Sequence, residues 1–288
     1  MTFPDHAALL RARSALVQLA LEEDLGEGDW TTQWTIPEAH RSRAVIVAKA
    51  PLVVAGTDCL REVYRAVDTD VVVELPVPDG ARVEPGTILA GVRGRTRSVL
   101  VGERTALNFL GHLSGIATLT RRFVDEVAGT GARILDTRKT TPGWRLLEKA
   151  AVRAGGGQNH RVGLHDMVLV KDNHADACGG VARAAKAAME ANDQGLAVEV
   201  EVRTLEELEE VLPLRPDRIL LDNMPPDALR AAVARVRREG AQRPETEASG
   251  NVTLATVRAV AETGVDFISI GALTHSAPSA DVSLRVVR

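Results

Sequence analysis

Three polar clusters between Ala132 and His174 gather side chains able to do chemistry. They are residues 137–143 (Thr-Arg-Lys-Thr-Thr-Pro-Gly), 155–161 (Gly-Gly-Gly-Gln-Asn-His-Arg) and 171–174 (Lys-Asp-Asn-His). Arg138, Lys139, His160, Arg161 and Lys171 place five basic groups within them. The first cluster follows the strand-like run 132–136 and the third follows 167–170, so both begin where a strand ends. In a β/α barrel that edge is where active sites are built. Positive charge collected there suits a small polyanion.

The type of base sharpens this reading. The chain has 35 basic residues, of which five are Lys and 30 Arg. Where charge alone matters this sequence uses Arg, so a retained Lys points to the compact ammonium, which can approach a reacting centre as a point charge or shift its pKa. Lys139 and Lys171 lie inside the polar clusters, whereas Lys49, Lys149 and Lys186 read as ordinary surface charges.

Carboxylates and glycine-containing turns complete the set. In 197–202 (Ala-Val-Glu-Val-Glu-Val) strict alternation sends Glu199 and Glu201 to one side of a strand, the interior side if the valines pack on helices. Asp222 ends the next apolar run. Glu201 and Asp222 offer oxygen ligands for Mg²⁺ bridging to a diphosphate; the alternative is that they pair with the nearby bases, and for Glu199 the two readings stand level. Glu247-Ala248-Ser249-Gly250-Asn251 and Ser269-Ile270-Gly271-Ala272-Leu273-Thr274-His275 follow the last two strands, where β/α barrels commonly hold a phosphate.

The elements that must position these groups follow from periodicity. A helix is expected over 7–23, then short strands at 43–48, 51–56 and 71–75, and a long helix over 103–127 in which Gly111 and Gly115 allow close packing. The spacing of 80–90 resembles the hammerhead turn of lipoyl and biotinyl carrier domains, but 93–97 (Arg-Gly-Arg-Thr-Arg) lacks the lysine that a carrier needs. From there strands at 134–135, 167–170, 197–202, 218–221, 245–248 and 266–270 alternate with helices at 180–192, 205–212, 227–239 and 254–263. That alternation argues for parallel βαβ units, about six of them, too few for an eightfold barrel. The final run, 281–288, reads as a strand that leaves the barrel for the N-terminal layer.

A formal net charge of −4 argues against a nucleic-acid binder. Cys59 and Cys178 have no metal-ligand or disulfide spacing, which fits a reducing cytosol. No apolar run reaches membrane-helix length and the first residues do not read as a signal peptide, so the expected location is cytoplasmic, away from membranes.

Taken in order, the three clusters, Glu-Val-Glu, Leu-Asp-Asn, Glu-Ala-Ser-Gly-Asn and Gly-Ala-Leu-Thr-His resemble the quinolinate phosphoribosyltransferase family, from the first helix to the last strand. Trp144 departs from the pattern, standing where many relatives have Leu. The resemblance implies an α/β fold of the type II phosphoribosyltransferases: an N-terminal α/β sandwich (1–112, joined by 276–288) and an incomplete β/α barrel (113–275). It implies a glycosyltransferase of NAD biosynthesis that takes phosphoribosyl pyrophosphate and quinolinate to nicotinate mononucleotide, pyrophosphate and CO₂. Arg104, Thr137, Arg138, His160, Arg161 and Lys171 would bind quinolinate. Lys139, Glu201, Asp222, Ser249, Gly250, Asn251, Gly271, Ala272, Leu273 and His275 would bind the phosphoribosyl donor. Lys139, Lys171, Glu201 and Asp222 would be catalytic, with Mg²⁺ on Glu201 and Asp222 directly or through water and with no organic cofactor. It further implies a homodimer with shared active sites, or a higher homo-oligomer, in which Arg104 serves the neighbouring subunit. Retention of Arg138, Arg161 and Lys171 argues against a related transferase for another heteroaromatic acid. A barrel lyase using Lys139 or Lys171 as a Schiff base is the remaining rival.

Overall fold

The computed structural model describes residues 6–287. Its contacts divide the chain into two compact units, one of Arg122–Arg138 and Gly157–Gly271, the other of 6–121, 139–156 and 272–287.

The unit that begins and ends the chain is built on an antiparallel sheet. Helix α1 (His6–Leu25) and α2 (Trp30–Thr35) lead into β1 (Arg41–Ala48), β2 (Leu52–Val53), α3 (Thr57–Val67), β3 (Val72–Glu74), β4 (Arg82–Val83), β5 (Ile88–Arg95), α4 (Thr96–Val101) and the long α5 (Glu103–Glu126). Asp29 caps α2 by accepting from Thr32 N. The main sheet order is β12 (Val282–Val287), β1, β5, β3, and β2 pairs with β4. Its outer member β12 runs antiparallel to β1 with Ile46 opposite Leu284, so the last strand does close onto the first sheet. Helix α5 carries the glycine logic expected of it. A Cβ on Gly115 would stand 2.1 Å from Pro278 O, and one on Gly111 would stand 3.1 Å from Ala280 O, so only glycine lets the 278–280 segment lie on the helix.

The other unit is a six-stranded parallel sheet of β6 (Arg133–Leu135), β7 (Val168–Val170), β8 (Val198–Val202), β9 (Arg218–Asp222), β10 (Glu245–Ser249) and β11 (Phe267–Ser269), in the order β6-β11-β10-β9-β8-β7. Gln158 makes a single parallel bridge to Leu135 on the β6 edge. Helices α8 (Val181–Glu190), α9 (Leu205–Val211), α10 (Pro226–Arg237) and α11 (Val257–Ala261) alternate with the strands. The last is only half the length the sequence suggested. Beyond α2, α3 and α4, periodicity also does not anticipate α6 (Arg145–Ala154), a short helix of the unit that begins and ends the chain, or α7 (Asp172–Cys178), made from polar residues of the third cluster, with His174 Nδ1 accepting from Lys171 N at 2.9 Å. α6 also corrects the reading of Lys149: the helix turns that side chain fully inward, beside buried Glu148.

Strand register shows what each face of the parallel sheet does. Val198, Val200, Val202, Ile219, Leu221, Ala248 and Ile268 face one way and are buried, as a sheet covered by helices requires. Because Glu199 pairs with Arg218, Glu201 with Leu220, Glu247 with Leu220 and Phe267, and Ser249 with Asp222 and Ser269, period two puts all these residues on the opposite face. One face of the sheet is therefore aliphatic and the other strongly polar.

Candidate active site

The polar face is organised in depth. At its base Phe267 lies between two guanidinium groups, Arg133 and Arg218, each 4.0 Å from the ring centroid. Arg218 then reaches Glu245 and Glu247, at 3.0 Å each. Next come Glu199 and Glu247, both fully buried, with His160 Nε2 at 2.9 Å from Glu199 and 3.6 Å from Glu247. Burial pushes Glu199 up to about 7 against the pull of Arg218, and burial together with the charge of Glu199 pushes Glu247 up to about 7.

His160, Glu199 and Glu247 have the spacing of a three-ligand metal cluster, but the hydrogen bonds argue otherwise. His160 Nδ1 accepts from Arg161 N at 2.7 Å, which leaves the ring proton on Nε2, facing the carboxylates. Arg218 already pairs with Glu247. The trio is a buried array of close charged groups in which both Glu199 oxygens and Glu247 Oε1 have no hydrogen-bond partner among the described residues.

Above it the carboxyl ends of the strands carry the groups singled out in the sequence. Lys171 Nζ pairs with Glu201 Oε2 at 3.1 Å, and Asp172 N stands 3.5 Å from the other oxygen. Ion pairing of Glu201 with a nearby base is thus realised, while Asp222, two residues beyond Leu220 on the next strand, shares the same side as Glu201. Asp222 accepts from Asn223 Nδ2 at 2.8 Å, and Asn251 Nδ2 donates to Asn223 Oδ1 at 3.1 Å. Ser249, Gly250 and Asn251 close β10 beside them.

The second cluster is held by an acid the sequence reading did not use. Asp136, fully buried at the end of β6, accepts from His160 N at 2.9 Å and from Asn159 Nδ2. Its position, directly before Thr137 at a strand end, was the available signal. Arg161, 5% exposed, donates to Met167 O. Burial and the charge of Arg138 lower the Arg161 pKa from its ordinary value. Two guanidinium groups near enough to feel each other are the electrostatic mark of an anion site. Asp166, also unanticipated, accepts from Val162 N and Gly163 N and shapes the loop that follows.

Gly271 ends the parallel-sheet unit, while Arg104, Lys139, Ala272, Leu273 and His275 belong to the other unit. Thr274 Oγ1 donates to Lys139 O at 2.8 Å, tying Lys139 to α12 (Ala272–His275). Thr141 N donates to the buried Glu148, which also meets His112 Nε2 at 2.9 Å, and Arg145 donates to Thr140 Oγ1. The Lys139 side chain is exposed at the end of this scaffold. Leu273 is fully buried, so only its backbone can serve a ligand, and His275 Nδ1 lies 2.6 Å from Ser276 Oγ. Arg104 is exposed and lines an open cavity of about 410 Å³ with Asn108, His112 and Trp144. Trp144 stacks on Phe109 at 4.7 Å and meets the His112 ring edge-on, a packing role for the residue that departs from the family pattern.

Comparison with known proteins shows the family to which the chain is similar. The N-terminal and C-terminal domains of quinolinate phosphoribosyl transferase match residues 29–114 and 116–285. A probable nicotinate-nucleotide pyrophosphorylase (carboxylating) of Synechocystis sp. is 43% identical over 272 residues, 94% of this chain and 92% of that one. The chloroplastic nicotinate-nucleotide pyrophosphorylase (carboxylating) of Arabidopsis thaliana is 45% identical over 94% of this chain and 82% of its own length. The solved nicotinate-nucleotide pyrophosphorylase of Francisella tularensis superposes with a TM-score of 0.90 at 36% identity, covering 96% of each chain.

Proposed function

The chain belongs to the quinolinate phosphoribosyltransferase family, and we infer that its strand-end groups divide that family's reaction among them in definite roles. The reaction joins C1 of phosphoribosyl pyrophosphate to the ring nitrogen of quinolinate, expels pyrophosphate, and loses CO₂ to leave nicotinate mononucleotide for NAD biosynthesis. Arg138, Arg161 and Lys171, with Thr137, are assigned to the two carboxylates of quinolinate; His160, whose ring nitrogens face Arg161 N and the buried carboxylates, is assigned to holding Arg161 in place. The observation that carries this assignment is the buried Arg161 with Arg138 close enough to lower its pKa. A dianion repays the cost of holding two like charges together, and the guanidinium fork matches carboxylate geometry.

Lys139, Ser249, Gly250, Asn251, Gly271, Ala272, Leu273 and His275 are assigned to the phosphoribosyl donor. Glu201 and Asp222 face the same side of adjacent strands and offer oxygen donors alone, the set a hard cation prefers. Mg²⁺, when bound there, would offset the charge of the departing pyrophosphate. As that bond stretches, positive charge grows on the ribose, and the carboxylates of Glu201 and Asp222 stabilise it. Lys171, paired with Glu201, restrains that carboxylate. Once the ring nitrogen is bonded to ribose it is cationic. The electron pair of the breaking C–CO₂ bond then stays on ring carbon, next to that charge, until a proton replaces CO₂. Positioning and preorganised charge do most of the catalytic work.

A homodimer with shared sites is the assembly proposed, with exposed Arg104 given to the neighbouring subunit. An open groove on the antiparallel sheet, lined by Arg43, Val45, Val72, Ile88, Arg93 and Val286, supports a subunit contact there. Among the described residues no helix is long and apolar enough to cross a membrane. Two free cysteines, one buried and one exposed, accord with the reducing cytoplasm as its location. Pyrophosphate release measured with quinolinate and with nicotinate tests the substrate assignment: quinolinate turns over, and equal turnover of the monocarboxylate would overturn it. Mixing Arg104→Ala and Lys139→Ala subunits tests the assembly. Up to half of the sites in each heterodimer recover if sites are shared, whereas verified exchange without activity would sink that part.

A further inference from the structure

Asn223 follows Asp222 in the Leu-Asp-Asn motif, and no role in the reaction has been given to it. Its backbone is left-handed, at φ 53°, as is that of Asn251 at φ 51°; these are two of the three non-glycine residues with positive φ among those described. Asn tolerates that region better than most residues but still at a cost, so the surroundings must hold it there. The restraints are visible. Asn223 N donates to Ser249 O at 2.9 Å, its side-chain Nδ2 donates to Asp222 Oδ2 at 2.8 Å, and its Oδ1 accepts from Asn251 Nδ2 at 3.1 Å. The amide orientation is fixed by chemistry, because the reverse would set a carbonyl oxygen against a carboxylate. Gly250, at φ 98°, makes room for it: a Cβ there would stand 2.2 Å from Asn223 Oδ1.

We propose that Asn223 is a positioning residue that locks the Asp222 carboxylate and the Ser249–Asn251 turn into one rigid unit, setting the distance between the groups that hold the two ends of phosphoribosyl pyrophosphate. This rests on the assignment of Asp222 to the ribose and diphosphate end and of Ser249, Gly250 and Asn251 to the 5′-phosphate. Asn is the side chain suited to the task. It is short enough to stay between neighbouring strand ends, and it donates to an acid on one side while accepting from an amide on the other. Asp keeps the acceptor but loses the donor and sets a second carboxylate against Asp222. Gly keeps the backbone conformation and loses both bonds. Rigidity here acts on the donor substrate and leaves the quinolinate groups, which sit on β6, β7 and the second cluster, untouched.

The experiment is steady-state kinetics with both substrates varied, on wild type, Asn223→Asp and Asn223→Gly, with Asp222→Ala and Ser249→Ala as references for the donor site. KM for phosphoribosyl pyrophosphate should rise ~10-fold or more in both Asn223 variants, with KM for quinolinate within about twofold of wild type and thermal unfolding nearly unmoved. A residue needed only for the turn would be replaced by Gly or Asp without such a split. The second arm combines Asn223→Gly with Asn251→Ala; groups that act as one unit should give a double variant little worse than either single one. The inference is overturned if both Asn223 variants keep the wild-type KM for the donor while the references lose it, or if the two KM values rise together. If the references themselves leave the donor KM unchanged, the underlying assignment of the donor site fails instead.

Discussion

The depth of the polar face and its rim are built from the same residue types and behave differently. In the depth, Arg218, Glu247, Glu199 and His160 are nearly sealed from solvent, and their charges are spent on one another. At the rim, Lys171 is half-exposed and Asp222 and Asn251 reach toward solvent, while Glu201, itself buried, keeps one oxygen only loosely engaged. Buried charges with fixed partners can do little chemistry on a visitor, but they fix the shape on which the rim stands. Exposed charges contribute little to folding and are free for a ligand. Sequence pattern alone marks both sets as strand acids and bases; depth on the strand separates scaffold from reagent.

The largest effect that sharpens this contrast is expected in the depth. Arg218→Ala removes the partner of two carboxylates, one of them fully buried, and stripping one member from a buried ion pair costs about 3–5 kcal/mol. Urea unfolding of the variant checks it, and a loss no greater than that of an exposed pair such as Arg258–Glu262 would erase the distinction.

The next effect depends on pH. Glu247 is raised in the fold to about 7 from an ordinary 4.5, mainly by burial and then by Glu199. Raised this way, it contributes stability that is fully present below its unfolded pKa and is lost as pH rises through about 7. Wild-type stability should therefore decline from about pH 5 to about pH 8 by a component that Glu247→Gln lacks. Thermal unfolding across that range should give a flatter profile for the variant; parallel profiles would contradict it.

The smallest change is at the rim and in the exposed Lys139. Lys171→Arg and Lys139→Arg keep charge but replace a point ammonium by a planar fork, so each should cost at least ~10-fold in kcat/KM, about 1.4 kcal/mol of transition-state stabilisation. Unfolding should barely register either change, in contrast to Arg218→Ala. Near-wild-type kinetics for both would reduce the retained lysines to chance.

Much of this was legible in order and period. Alternation at 197–202 placed Glu199 and Glu201 on one face because a strand has period two, and the observed register bears that out. Parallel βαβ units, the return of the last strand and the close packing at Gly115 followed from elementary constraints of the same kind. Hidden from the sequence was everything set by partners distant along the chain. Lys149 looked like a surface charge because a ten-residue helix offers few turns from which to read its inner face. Asp136 and Asn223 looked like the ends of strands because hydrogen bonds to residues more than 20 positions away leave no periodic trace.

The sequence by itself determined which residues could react and which strand ends would carry them, since local alternation and residue chemistry are properties of neighbouring positions. Only the tertiary structure decided that Glu199 and Glu247 share a dry interior with His160 while Glu201 and Asp222 stand at the rim. Desolvation and charge pairing depend on what the folded chain brings within a few ångströms, and that is decided by packing across strands.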